Sequence, residues 1–184
     1  MALSFPPGSG GFINPEAVIS QLQVQEGMKV ADLGCGHGYF SIPLAKMVGE
    51  SGRVISFDVL TDALENVKSK AQTQNLKNIE TFRANLEKEG GTGLDDGECD
   101  MVVLANILYQ SQKKAAIIRE ALRILKTGGW LLVVEWQTKD LTIGPQEGWR
   151  IGPQELKEMV QNQKGVLQKE IKAGDFHYGL VFVK

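Results

Sequence analysis

The sequence predicts an α/β domain built on a doubly wound, mostly parallel sheet, and three observations lead to this prediction. Short apolar runs alternate with segments of helical periodicity along most of the 184 residues. Strands that alternate with helices form right-handed crossovers, which place helices on both faces of a parallel sheet. A glycine-rich turn, GCGHG at 34–38, joins the first apolar run to a helix, and the chain length suits one domain.

The first half of the chain supplies three strand–helix units. Residues 1–14, rich in Pro, Gly and Ser, are expected to form a flexible arm, and the domain itself is expected to span 15–184. Asn14 and Pro15 predict a helix start. The expected elements are then a helix over 15–25, a strand over 28–33, a helix from the glycine turn to 48, a strand over 53–59, a helix over 62–74 begun by an Asp62–Glu65 capping box, and a strand over 78–83.

The second half continues the alternation after a Gly- and acid-rich loop at 84–98. Ser111 is the expected cap of a helix that ends at 126–129, where a glycine takes the left-handed position. The other expected elements are strands over 100–105 and 130–135, a loop over 137–153, a helix over 154–163, and closing strands over 166–172 and 176–183.

Composition excludes several classes of partner. The chain has 20 basic and 22 acidic side chains and a net charge of -2, without the basic stripe of a nucleic-acid-binding protein, so no nucleic acid is expected. The sequence has no apolar run near the roughly 20 residues of a membrane span, and its start does not resemble a signal peptide. Cys35 and Cys99 lack metal or disulfide spacing, so a metal-free protein in the reducing cytoplasm is expected.

The glycine turn and an acid at the tip of the second strand predict a ligand site. In such sheets ligands bind beyond the carboxyl ends of the strands, and amides at a helix start favour a negative group. Asp58 follows Gly38 by 20 residues, where a carboxylate accepts hydrogen bonds from two ribose hydroxyls. The spacing is GxGxG and not the GxGxxG of dinucleotide-binding folds. Asp32, just before the glycines, is expected to hold the loop or to face a ligand ammonium.

Four segments resemble class I S-adenosylmethionine-dependent methyltransferases, in particular type 11 and type 25 members: VADLGCGHGYF (30–40), FDV (57–59), DMVVLANILYQ (100–110) and RILKTGGWLLVVEW (123–136). The last is similar to a signature of the ubiquinone and menaquinone C-methyltransferases, although their N-terminal signature is missing. The resemblance implies a Rossmann-like, seven-stranded α/β/α sandwich whose last strand is antiparallel and lies beside the fifth. It also implies S-adenosyl-L-methionine as cofactor and S-adenosyl-L-homocysteine as product.

The resemblance further implies which positions contact the cofactor. The turn glycines pass its methionyl part, Asp58 binds the ribose, and Val59 packs on the adenine. Asn85 stands where many members have Asp, near the adenine amino group, and Asn106 lines the methionyl side. The implied cofactor-binding residues are Asp32, Gly34, Cys35, Gly36, Gly38, Tyr39, Phe40, Asp58, Val59, Asn85, Leu86 and Asn106.

The sequence predicts which residues lie near the methyl acceptor but not which molecule the acceptor is. Tyr109, Trp136, Arg150 and His177 are expected near the ligand end of the sheet, with His177 and Tyr109 as candidate catalytic residues. A neutral imidazole at 177 takes a proton from a hydroxyl or an amine, and the alternative is a locally bonded strand residue. Arg150 either pairs with an acidic substrate or lies in solvent. The (D/N/S)PPY motif of amino-group methylation on DNA bases and protein glutamine is absent after the fourth strand.

The leading hypothesis is therefore a methyltransferase acting on a small molecule, with the arm 1–14 and the loop 137–153 as candidate lids. Methylation of protein or RNA by an open site is the second hypothesis, and a non-catalytic protein that binds S-adenosylmethionine is the third. A nicotinamide-dependent dehydrogenase is disfavoured by the glycine spacing.

Overall fold

A computed structural model describes residues 12–139 and 143–184, and in those residues seven strands form one sheet. The strands are β1 (Lys29–Leu33), β2 (Arg53–Asp58), β3 (Ile79–Arg83), β4 (Cys99–Ala105), β5 (Leu125–Trp136), β6 (Val166–Lys172) and β7 (His177–Val183). The helices are α1 (Pro15–Ile19), α2 (Ser41–Val48), α3 (Thr61–Thr73), α4 (Lys114–Ile124) and α5 (Pro153–Gln161), with short 3-10 turns at Leu108–Gln110 and Glu147–Trp149.

The strand order is β3-β2-β1-β4-β5-β7-β6, and β7 runs antiparallel to both of its neighbours. The contacts from β3 through β5 are all parallel. The order reverses at β1, so the carboxyl ends of β1 and β4 part there and leave a crevice. The fold class is confirmed, including the antiparallel last strand beside the fifth.

Two apolar layers cover the two faces of the sheet. Alternate residues of a strand point to opposite faces, so in β1 Ala31 joins one layer and Val30 the other. Ile118 of α4 packs in the first layer, and Leu44 of α2 packs in the second. Both faces of the central strands are covered, which explains why β4 and β7 carry continuous apolar runs, whereas the outer strands β3 and β6 are partly exposed and contain polar residues.

Four expectations about helix ends are wrong: the end of α1, the capping box of α3, and the start and the end of α4. Helix α1 ends at Ile19 and not near 25, since the Gln21 side chain binds the backbone of Lys172 on β6 through hydrogen bonds of 2.8 and 3.1 Å. No Asp62 capping box forms, because the chain enters α3 at Leu60, whose amide donates to the Asp58 carboxylate.

The helix expected to end at 126–129 ends at Ile124, and residues 125–129 already belong to β5. Gly128 has the expected positive φ of 79°, but its amide donates to the Lys184 carbonyl beside β7 at 2.9 Å. Ser111 does not cap α4, which starts at Lys114; its hydroxyl accepts the Lys113 amide and donates to Glu87.

No helix in the described ranges is long and apolar enough to cross a membrane.

Glu120 on α4 is a buried carboxylate that ties the loop after β3 to the helix. It is 1% exposed and accepts hydrogen bonds from the amides of Gly90 and Thr92, the Thr92 hydroxyl and the Arg123 guanidinium. Burial opposes its ionisation, but the bonds from Arg123, Thr92 and Gly90 outweigh burial and lower the pKa of Glu120 to about 2.

We predict that Glu120→Gln lowers the free energy of unfolding by about 3 kcal/mol at pH 7, because a carboxylate with a depressed pKa stabilises the folded state above its unfolded pKa. That stabilisation is lost as the pH falls from about 4.5 towards 2. Urea unfolding at pH 7 and pH 3 measures the difference in free energy of unfolding between the wild type and Glu120→Gln. This difference should be about half as large at pH 3 as at pH 7. Glu65→Gln, in an exposed pair with Lys68, is the control with little effect. A difference that does not change with pH contradicts the prediction.

Candidate functional site

A groove with two lobes runs across the carboxyl ends of β1, β2, β4 and β5. The Asp58 lobe, of about 540 Å³, is lined by Asp58, Val59, Asn85 and Leu86 among others. The second lobe, of about 470 Å³, contains Asp32, Asn106, Tyr109, Trp136 and His177, and is called the His177 lobe. Gly34, Gly36, His37 and Gln110 line both lobes, so the two meet over the glycine turn. Most of the predicted site residues are thus brought into one groove.

The glycine turn has a separate structural reason at each of its three glycines. All three have positive φ, at 77°, 50° and 78° for Gly34, Gly36 and Gly38. A methyl group on Gly34 would overlap Ile107, and one on Gly38 would lie 3.1 Å from a Val67 methyl carbon. At Gly36 no heavy atom of the described residues, apart from its own chain neighbours, lies within 4 Å of that position. Gly36 is therefore open to the groove, whereas its two neighbours are packed against the protein.

Asp58 binds the glycine turn directly. Its Oδ2 atom accepts the Gly36 amide at 2.9 Å, and its Oδ1 atom accepts the Leu60 amide at 2.9 Å. An ionised carboxylate has about four lone-pair positions, so two accepted amides leave room for further donors in the groove. Val59 and Leu60 are 51% and 65% exposed and present apolar surface beside the carboxylate.

The far wall of the Asp58 lobe is formed by residues that come directly after β3 in the chain. Leu86 is buried, while Asn85 is exposed and its Oδ1 atom accepts the Glu87 amide at 3.0 Å. The Ser111 hydroxyl donates to Glu87 at 2.7 Å, which closes the wall against the segment after β4. Asn85 thus lies in the lobe as predicted, with its carbonyl oxygen turned to the backbone.

Asp32 lies under the His177 lobe and is 2% exposed. Its Oδ2 atom accepts the Ser41 hydroxyl at 2.6 Å, and that hydroxyl accepts the Ser56 hydroxyl at 2.8 Å. Burial raises the pKa of Asp32 to about 6, against the lowering effect of the Ser41 bonds. Asp32 therefore holds the start of α2 through Ser41, whereas the glycine turn is held at its Gly36 amide by Asp58.

His177 lies at the start of β7, opposite Trp136 of β5 in the antiparallel pair. It is 3% exposed, and its ring centroid is 4.1 Å from that of Trp136. Its Nε2 atom is 3.3 Å from the amide nitrogen of Asn106, a residue with a φ of 54°. Burial lowers the pKa of His177 to about 4, so the imidazole is neutral at pH 7.

The aromatic residues of the lobe differ in exposure. Tyr109 is half-buried, and burial together with the Glu135 charge raises the pKa of its phenol. Tyr39 is 58% exposed, and its hydroxyl donates to the Ile13 carbonyl at 2.8 Å, which holds the segment before α1 against the turn. Phe40 is buried in the apolar layer of α2 and reaches the lobe from below.

Neither cysteine has the features of a reactive thiol. Cys35 is buried against Leu64 and Val67 beneath the glycine turn, and burial raises the pKa of its thiol. Burial raises the pKa of Cys99 to about 12. Both thiols are therefore protonated at neutral pH and are poor nucleophiles.

Arg150 supports the loop beyond β5. Its guanidinium donates to the carbonyls of Pro145, Gln137, Lys139 and Ile143 at 2.8 to 3.3 Å. Among the described residues, the Arg150 guanidinium is therefore held by backbone carbonyls, and the side chain is partly buried. Residues 1–11 of the expected arm and 140–142 of the expected lid loop lie outside the described residues.

Two site residues were not predicted from the sequence. Glu135 is fully buried at the end of β5, and its Oε1 atom accepts the Leu108 amide at 2.7 Å, so it holds the 3-10 turn that carries Tyr109. Burial raises the pKa of Glu135 to about 7. The sequence feature that could have indicated Glu135 is a single acid at the end of an apolar strand. Gln110 lines both lobes and donates to the Asn106 carbonyl at 2.8 Å, and nothing in its sequence context marks it.

The described ranges contain no cluster of three or more His, Cys, Asp or Glu side chains able to hold a metal ion. The groove offers hydrogen-bond donors, acceptors and aromatic surface, which suits binding and orientation of organic ligands.

Comparisons with known proteins give a consistent result. A family model described as a methyltransferase domain matches residues 24–180. A demethylmenaquinone methyltransferase from Lactococcus lactis is 31% identical over 120 residues, 65% of this chain and 46% of that protein. A ubiquinone/menaquinone biosynthesis C-methyltransferase from Haemophilus ducreyi is 34% identical over 114 residues, 61% of this chain and 43% of that protein. The chain thus spans less than half the length of these curated relatives.

Among solved structures, a SAM-dependent methyltransferase from Aquifex aeolicus superposes with a TM-score of 0.85 at 24% identity, over 96% of this chain and 93% of that one. That likeness concerns the fold. With the family model covering 24–180, the chain belongs to the class I S-adenosylmethionine-dependent methyltransferases.

Proposed function

We propose that this protein transfers the methyl group of S-adenosyl-L-methionine to a small-molecule acceptor. The observation that carries the proposal is the pair of lobes joined over Gly36, where no atom fills the space that a side chain would take. A cofactor crosses such an opening close to the backbone while its two ends lie in different lobes. The relatives named for methylation of quinones support an acceptor of small size.

The residues of the Asp58 lobe suit the adenosine part of the cofactor. Asp58 has lone pairs left for the ribose hydroxyls after accepting the Gly36 and Leu60 amides. The exposed apolar side chains of Val59 and Leu60 offer a surface for the adenine face. Asn85, with Leu86 behind it, is the proposed contact for the adenine edge.

The methionyl part is proposed to lie over the glycine turn, beside Asp32 and Asn106. A buried carboxyl whose pKa burial has raised to about 6 is stabilised in its ionised form by a neighbouring ammonium. Asn106 has a buried Oδ1 atom without a hydrogen-bond partner among the described residues, and that atom suits an ammonium donor as well. Cys35, Tyr39 and Phe40 form the wall beside this part of the groove.

The cofactor supplies an electrophilic methyl group, so the protein's main task is to bring the acceptor in line with it. His177 and Tyr109 remain the proposed residues at the acceptor. With its pKa near 4, His177 accepts a proton weakly, and it does so at Nε2 only if the Asn106 bond breaks. Tyr109, with its raised pKa, is suited to donate a hydrogen bond and not to accept a proton.

We predict that calorimetry shows binding of S-adenosylhomocysteine and no binding of NAD, and that Asp58→Ala weakens the former by about 10- to 100-fold. The loss follows from removing hydrogen bonds to a charged acceptor, each worth about 1.5–3 kcal/mol. Asp62→Ala, four residues along on the exposed face of α3, is the matched control and should bind within twofold. Binding of NAD in place of S-adenosylhomocysteine would refute the proposed function.

We further predict opposite effects of Asp32→Asn on stability and on binding. Because the folded-state pKa of Asp32 is raised from 3.8 to about 6, ionisation disfavours the folded state, with a cost that is absent below 3.8 and complete above 6. The free energy of unfolding of the variant should therefore exceed that of the wild type by about 2–3 kcal/mol at pH 8 and by under about 1 kcal/mol at pH 4. It should bind S-adenosylhomocysteine at least about fivefold more weakly if Asp32 faces the ammonium. Unfolding curves at both pH values and calorimetry measure the two effects, and a variant less stable than wild type at pH 8 contradicts the account.

A further inference from the structure

We propose that Trp136 and His177 bind the methyl acceptor through their ring N–H groups, and that this acceptor is an uncharged, flat molecule with an oxygen that accepts hydrogen bonds. The inference rests on the proposed function, because it names the class of molecule that the His177 lobe takes.

Buried polar atoms without a hydrogen-bond partner are concentrated around the His177 lobe. Five buried side-chain polar atoms of the described residues have no hydrogen-bond partner, and three of these belong to residues that line the His177 lobe. They are Asn106 Oδ1, Trp136 Nε1 and His177 Nδ1. A buried polar atom without a partner costs about 1–3 kcal/mol, and native proteins leave few of them. Three such atoms around one lobe point to a ligand that supplies the missing partners.

Two of these three atoms are hydrogen-bond donors. An amide nitrogen donates only, so the Asn106 contact makes His177 Nε2 an acceptor and places the proton of the neutral ring on Nδ1. The indole nitrogen of Trp136 also donates only. The two residues are a register pair with ring centroids 4.1 Å apart, so two unpartnered N–H donors belong to neighbouring rings. Donors of this kind select an oxygen with free lone pairs.

Charge narrows the class of acceptor further. No Lys or Arg is found among the described residues that line the His177 lobe, and Asp32 lies beneath it. A carboxylate or phosphate placed there would lack a cationic side chain of the lobe as its partner, which is costly. The Asn106 oxygen and Asp32 face the positive end of the proposed cofactor, which leaves the two N–H donors for the acceptor molecule.

The aromatic lining of the lobe favours a flat molecule. Phe12, Tyr39, Tyr109 and Trp136 line it, and aromatic faces pack well against planar rings. The two N–H groups do not reach bulk water, so the acceptor has to displace or rotate a covering side chain to meet them. Binding should therefore change the environment of the Trp136 indole directly.

The test uses the whole, nitrogen-15-labelled protein saturated with S-adenosylhomocysteine. Acetophenone, an uncharged ketone, is titrated beside benzoate, its anionic relative, and ethylbenzene, which has no oxygen. The indole N–H signal of Trp136 is identified by its loss in Trp136→Phe. Acetophenone should shift that signal and bind at least about fivefold more tightly than the other two, because one hydrogen bond contributes about 1 kcal/mol.

Variants separate hydrogen bonding from packing. Trp136→Phe and His177→Phe keep an aromatic ring and remove the N–H, and each should weaken acetophenone by about 5- to 10-fold. His177→Asn keeps a side-chain N–H, so its affinity for acetophenone should fall less than that of His177→Phe. Trp130→Phe is the matched control, because Trp130 lies six residues before Trp136 on β5 and lines a different pocket, so this variant should bind acetophenone as the wild type does.

Equal acetophenone affinity in Trp136→Phe and Trp130→Phe overturns the inference, as does binding of benzoate or ethylbenzene as tight as that of acetophenone. The proposed function and the inference about the methyl acceptor can be refuted separately. If the wild type does not bind S-adenosylhomocysteine, the proposed function fails. If it does, and acetophenone leaves the Trp136 signal unmoved, the inference alone is wrong.

Discussion

The hydrogen bond from the Gly36 amide to Asp58 is the contact on which the site depends. At 2.9 Å it joins the glycine turn after β1 to the end of β2, and the other Asp58 oxygen binds the start of α3 at Leu60. One carboxylate thus sets the positions of three segments around the groove. The positive φ of Gly36 and the empty space beside it follow from this arrangement, and the two lobes meet over that space.

The site also carries features that do not favour stability. Asp32 and Glu135 are buried acids whose pKa values burial raises to about 6 and about 7, and Asn106 has a positive φ. Strained backbone and buried acids of this kind persist where surrounding structure holds them, and they concentrate at functional sites. Glu135 shows why, since its carboxylate holds the Leu108 amide and so fixes the turn that carries Tyr109. The stabilising carboxylate of Glu120, by contrast, lies outside the residues that line the groove.

Much of the fold was predictable because it rests on local signals. Apolar runs separated by helical periodicity located all seven strands to within a residue or two at most ends, and glycines with Asp58 located the Asp58 lobe. Helix boundaries were less predictable, because contacts distant in sequence decide them. Gln21 leaves its helix to bind Lys172, which is 151 residues away, and the Gly128 amide binds the Lys184 carbonyl beyond the end of α4.

The predicted site residues were brought together for a topological reason. His177 is 71 residues from Asn106 and 41 from Trp136, yet an antiparallel β7 places its start beside the carboxyl end of β5. The roles of these side chains were not predictable. That His177 has a bonded Nε2 and an unpartnered Nδ1 depends on the Asn106 amide, and that Arg150 binds four carbonyls depends on the loop's path. Neither relation has a sequence signature.

The central claim, methyl transfer to a small molecule, is tested most directly by following a labelled methyl group. The protein is incubated with S-adenosylmethionine carrying an isotopic methyl label and with a cell extract separated into small molecules, protein and RNA. The account predicts that label enters the small-molecule fraction, in an uncharged product, and that Asp58→Ala abolishes most of this transfer. Label in the protein or RNA fraction, or no transfer to any fraction by a protein that binds S-adenosylhomocysteine, would contradict it.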